Sequence, residues 1–188
     1  MDVNSLEGGF ADAPRDSAFA FRAALSALSR PGKIERITGA SGPAPLSPAA
    51  ATLIITLCDP DAGIYLAGEH DTEEVRAWVA FHTGAPLVAR EEAAFAVGHW
   101  SDLLPLNTYP IGTPEYPDRS TTLIVEVPSL EGPGTTLSGP GIKDTATLPL
   151  PDVDAFRANE MLFPLGLDFF LTAGSDVAGL PRTTKVHA

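Results

Sequence analysis

The sequence predicts a single α/β domain in which a mixed sheet is flanked by helices. Three observations carry this. Segments with helical spacing of apolar residues alternate with short β-like runs along the chain, which is the pattern of a layered α/β unit. Hydrophobic residues make up 44% of 188 residues, enough for one well-packed core. No Pro/Gly-rich stretch is long enough to join two domains. Residues Met1–Ala13 read as an N-terminal arm, and residues 14–188 as the domain.

The elements follow in order. Pro14 suits a first helical turn, and Phe21, Ala24, Leu25 and Leu28 recur at helical spacing, so a helix is expected from Pro14 to Ser29 with that stripe inward. Arg30-Pro31-Gly32 ends it, because proline disfavours helical geometry in the residue before it. Lys33–Thr38 alternates like a strand with one wet face. Ser47-Pro48 pairs an N-cap with proline at the first position of a helix over Ala49–Cys58, which is apolar all round and therefore buried. Gly63–Ala67 reads as a short strand. Asp71, with Glu74 three residues on, resembles a capping box. The helix it opens places Val75, Trp78, Val79 and His82 on one face and stops at Gly84. Ala93–Val97 and Thr121–Val127 are β-like and enclose a long Pro-, Thr- and Tyr-rich loop, Leu103–Arg119, of a length that is often functional. Thr135–Leu137, Leu167–Thr172 and Arg182–Val186 complete the strands, and Asp152–Leu162 the helices.

Charge narrows the function classes. Twenty-four acidic residues against 12 basic give a net charge of −12, which disfavours nucleic acid and anionic lipid as partners. A few converging arginines still reverse that field locally for a small anion. Cys58 is the single cysteine, so no intrachain disulfide is expected. The absence of a basic segment followed by an apolar one, and of any apolar run of membrane-spanning length, points to the cytoplasm.

Common catalytic signatures are missing: no phosphate-binding P-loop, dinucleotide fingerprint, zinc-protease helix or nucleophile elbow occurs, and no metal ligand set is apparent. Ser138-Gly139-Pro140-Gly141 follows a strand. Its glycines let backbone N–H groups approach an anion, and Ser138 adds a hydroxyl, with Lys143 close behind; an ordinary tight turn would use the same residues. Arg182 offers a rigid fork for phosphate or carboxylate with Thr183 and Thr184 beside it, although an edge strand carries such residues for solubility as well. Arg30 and Lys33 stand across a turn at a helix C-terminus, where the dipole alone attracts cations. His82 fits a core histidine bonded to a carbonyl better than a catalytic one. His70, His99 and His187 receive no role.

Taken in order, several of these segments resemble the carbon–phosphorus lyase H-subunit family (PhnH). They are Phe21-Arg22 through Ala27-Leu28-Ser29-Arg30-Pro31-Gly32, then Thr56-Leu57-Cys58-Asp59, Phe81-His82-Thr83-Gly84, Gly112-Thr113 and Tyr116-Pro117. Leu137–Ile142, Phe163–Asp168 and Leu180–Thr184 close the series, so the likeness runs from Phe19 to Val186. The resemblance implies a fold similar to that of pyridoxal-phosphate-dependent transferases, without use of that cofactor. It also implies partner subunits that together displace adenine from ATP by an alkylphosphonate, giving a ribose 1-phosphonate 5-triphosphate, before a separate radical subunit breaks the C–P bond. The lysines agree on their own terms, since none of Lys33, Lys143 and Lys185 sits beside an obvious Asp partner on a strand.

The expectation is therefore a non-catalytic or co-catalytic subunit of that complex, binding no cofactor and a homodimer when isolated. Ser138, Gly139, Gly141, Arg182, Thr183, Thr184 and Arg30 are the candidates to bind a phosphonate or ATP-derived anion. The alternatives are a stand-alone pyridoxal-phosphate transferase and a scaffold without a ligand site.

Overall fold

A computed structural model describes residues 6–187. At its centre lies a six-stranded sheet in the order β1-β8-β7-β4-β3-β2. Strands β2 (Ile64–Leu66), β3 (Phe95–His99), β4 (Thr122–Glu126) and β7 (Asp168–Ala173) run parallel. Strand β8 (Asp176–Leu180) returns antiparallel along β7, and β1 (Ile34–Arg36) antiparallel along β8. This is the expected α/β layering with a mixed sheet flanked by helices.

Both faces of the sheet are covered, and the two-residue period of the strands sorts the core into two clusters. Ile124 and Phe170 point to one side, with Val97, Ile64 and Val177. Leu123, Val125, Phe169 and Leu171 point to the other. The first side is roofed by α1 (Ala13–Ser29), α2 (Pro48–Leu57) and α3 (Glu73–Thr83). The second packs the one-turn helix α4 (Trp100–Leu103), α5 (Val153–Glu160) and a small sheet, β6-β5-β9, built from Ala146–Leu148, Thr135–Ser138 and Lys185–Val186.

Local chemistry accounts for most element ends. The Ser47 Oγ accepts from Ala50 N at 3.1 Å, and Ala49, Ala50, Ala51, Leu53 and Ile54 of α2 are fully buried, as an all-apolar helix requires. Asp152 caps α5 through Ala155 N at 3.0 Å. Gly84 ends α3 in the left-handed region at φ +68°. The cap of α3 is one residue later than expected: Thr72 accepts from Val75 N at 3.2 Å. Asp71 instead pairs with Arg76 at 2.5 Å.

Three further expectations differ from the structure. In α1 the buried stripe is Ala20, Ala24 and Ala27, whereas Phe21 and Leu25 are about half exposed. The reason is close approach: a Cβ on Gly179 of β8 would lie 2.6 Å from the backbone of Ala27 and Leu28, so only small residues fit the contact. The stretch Arg182–Val186, read as one strand, is a turn followed by β9, with Thr184 N donating to Pro181 O at 2.9 Å. Strand β8, across the Gly174-Ser175 turn from β7, was not anticipated. The N-terminal segment, where described, is fastened down. Trp78 Nε1 donates to Glu7 O at 2.9 Å, His82 Nε2 lies 2.9 Å from Leu6 O, and Phe10 packs on the first cluster.

Candidate functional site

The small sheet gathers most of the residues that the sequence singles out. Leu137 pairs with Val186, both buried, so their neighbours Ser138 and Lys185, also a registered pair, face outward. Beyond Ser138 the chain turns through Gly139 at φ +122° and Gly141 at φ +83°, closed by Ile142 N donating to Gly139 O at 3.1 Å. Both glycines are required by contact as well as by φ. A Cβ on Gly139 would sit 3.1 Å from Thr183 O, and one on Gly141 only 2.0 Å from Ser29 O.

The turn is thus wedged between Thr183-Thr184 on one side and Ser29-Arg30-Pro31 on the other. Ser138, Gly139, Gly141, Thr183, Thr184 and Arg30 meet at one place although the chain separates them widely. Among the described residues, the Gly139 and Gly141 amides donate to no protein oxygen. Thr184 is buried, and its hydroxyl is without a hydrogen-bond partner. Arg30, Lys143 and Lys185 are exposed here, in a chain of net charge −12. Lys33 is engaged by Glu35 at 2.5 Å. Lys33 and Ser26 together hold the Glu35 carboxyl below its ordinary range, against a smaller opposing effect of burial.

Arg182 is turned away from this cluster. Its Nε and Nη2 lie 3.2 and 2.5 Å from the two oxygens of Asp168, and its Nη1 donates to Pro117 O at 2.6 Å. Ser120 Oγ takes a further bond from Nη2. The planar fork is spent on tying β7 to the loop before β4, and the side chain is only 11% exposed.

A second polar cluster lies at the carboxyl ends of the parallel strands, the edge where open α/β sheets bind ligands. His99 ends β3 and Glu126 ends β4, in register. His99 Nδ1 is 3.4 Å from Glu126 O, and its ring meets that of His70 edge-on at 5.0 Å. The Glu126 carboxylate accepts from Ser47 N at 2.7 Å and from Thr172 Oγ1 at 3.0 Å, fixing the start of α2 to the sheet. His70 is fully buried, and neither ring nitrogen has a hydrogen-bond partner. Burial foremost, then the neighbouring His99, push its imidazole below the ordinary range, against Asp102 and Glu69. Sequence reading gave His70 and His99 no role. The available signal was that His99 ends one β-like run and His70 closely follows another.

The long loop supplies one wall of an apolar groove of about 490 Å³, lined by Leu104–Asn107 and Ile111 opposite Ala155, Ala158 and Leu162. Beside Leu162, Met161 and Phe163 are also strongly exposed. No helix among the described residues is long and apolar enough to cross a membrane.

Comparison with known proteins gives matches along nearly the whole chain. The chain is 42% identical over 189 residues to the alpha-D-ribose 1-methylphosphonate 5-triphosphate synthase subunit PhnH of Rhizobium meliloti (strain 1021), covering 96% of this chain and 94% of that protein. It is 28% identical over 197 residues to the putative C-P lyase subunit protein HtxG of Stutzerimonas stutzeri, covering 96% of each. The family model for bacterial phosphonate metabolism protein (PhnH) matches residues 8–187, and the chain belongs to that family.

Proposed function

We propose that this chain is a subunit of the bacterial carbon–phosphorus lyase system, supporting formation of a ribose 1-phosphonate 5-triphosphate from ATP and an alkylphosphonate. The observation that carries the reading is the 42% identity to a synthase subunit over nearly the full length of both chains. The chain acts through contacts with other subunits of the complex, and the apolar groove beside α5 is a surface of the kind such contacts use. The isolated chain is a homodimer and works in the cytoplasm, with residues 14–188 folding as one unit. The glycine turn with Ser138, Thr183, Thr184 and Arg30 is the anion-binding element; two unspent amides and three exposed cations support this. Arg182 serves that element by holding the preceding turn in place rather than through its own fork.

We further take the main sheet to be kin to that of pyridoxal-phosphate-dependent transferases, operating without the cofactor. Lys33 is paired with Glu35, while Lys143 and Lys185 lie at the small sheet, away from the carboxyl edge of the parallel strands.

The test is genetic and biochemical together. A strain lacking this chain should fail to grow on methylphosphonate as sole phosphorus source, and the tagged chain should co-purify with the other subunits. Adenine release from ATP in the presence of methylphosphonate should need the assembled set. Growth of the deletion strain at the normal rate would refute the reading.

A further inference from the structure

The proposed anion element contains one residue that the sequence left without a role. His187 N donates to Thr136 O at 2.9 Å, extending the pairing of β9 along β5. That places its ring on the outward face of the small sheet, diagonal to Ser138, with Ser138 Oγ and His187 Nε2 2.7 Å apart. Lys185 stands directly opposite Ser138 on the same face.

A serine hydroxyl has one proton, so this contact allows two arrangements. If Nε2 is the unprotonated nitrogen, Ser138 donates to it and has no proton left for a ligand. If Nε2 carries hydrogen, it donates to Ser138 Oγ, and the hydroxyl proton is free to point away from the sheet. An ionised phosphonate or phosphate oxygen only accepts. It therefore selects the second arrangement, in which the chain of donors runs from His187 Nε2–H to Ser138 Oγ–H to the anion.

We propose that His187 is a positioning residue that presents the Ser138 hydroxyl as a donor to a tetrahedral oxyanion seated on the Gly139–Gly141 turn. The oxyanion is a phosphonate or the phosphate of a nucleotide; the two share this chemistry. Lys185 and the neighbouring Arg30 and Lys143 supply the attraction, and His187 supplies the direction. No covalent bond forms or breaks. The inference rests on the reading of the turn as an anion-binding element.

The test uses the purified full chain labelled with 15N-histidine at one fixed pH, titrated separately with methylphosphonate and with ATP. At least one should bind saturably, identifying the source of the oxyanion, and binding should move His187 Nε2 to its protonated 15N position. Ser138→Ala and His187→Ala should each weaken binding roughly 10-fold, as loss of one hydrogen bond to a charged group does. The double variant should be little weaker than either single one, because both changes break the same chain of donors. His187→Gln, whose side-chain amide still donates to Oγ, should bind within about 3-fold of the wild type. Thermal melts separate lost binding from lost folding.

If the wild type binds and Ser138→Ala weakens it, but His187→Ala does not or Nε2 stays unprotonated, the role of His187 is refuted while the glycine-turn reading stands. If Ser138→Ala has no effect on binding, the role of His187 is likewise refuted. If the wild type binds neither compound, both readings fall together.

Discussion

Removing the Arg182 side chain should damage the fold before it damages any binding event. The guanidinium holds both Asp168 oxygens, Pro117 O and Ser120 Oγ, so Arg182→Ala strands a carboxylate that is 24% exposed together with two further acceptors. Breaking a buried pair by removing one partner costs about 3–5 kcal/mol, and the partial exposure of Asp168, with its remaining bond from Arg182 N at 2.8 Å, brings this to roughly 2–4. In a domain of this size about 3 kcal/mol lowers the melting temperature by roughly 6–12 °C. Arg182→Lys should recover only part of the loss, since one ammonium cannot span three partners in a plane. The assay is a thermal melt and a urea midpoint for each variant, paired with growth on methylphosphonate. A melting temperature within about 2 °C of the wild type, with growth abolished, would refute this reasoning and return the fork to ligand binding.

Other consequences follow from single contacts. Gly179→Ala should lower stability markedly, because the new Cβ would meet the backbone of Ala27 and Leu28 at 2.6 Å; an unchanged urea midpoint would mean α1 does not rest on β8 as described. His70 is held below its ordinary range mainly by burial, so the unfolded chain takes up the proton first as pH falls through about 6.5. Stability is therefore full above that pH and declines below it, and His70→Asn should flatten the difference in urea midpoint between pH 7.5 and 5.5; equal slopes in both proteins would count against it. Burial, with Asp59 adding to it, pushes the Cys58 thiol up to about 12, so iodoacetamide at pH 8 should label the protein only after unfolding.

The amino-acid sequence by itself determined the features decided within a turn or two of chain. The Ser47 cap, the Gly84 stop, the all-apolar burial of α2 and the alternation of helix with strand all rest on local hydrogen bonding and periodicity, which need no distant partner. The glycine turn after β5 was legible for the same reason, and so was the ordered series of motifs that marks the family. Tertiary structure decided the rest. Which face of α1 turns inward depends on Gly179, some 150 residues later, admitting only alanines. Arg182 presents the same fork to an anion or to Asp168, and the choice lies in the register of β7 against the loop before β4. His187 acquires a partner only because β9 pairs with β5, and His70, His99 and Glu126 come together only because parallel strands end side by side. Propensity is written along the chain, but hydrogen-bond partners and close approaches are set across it, where residues far apart in sequence meet.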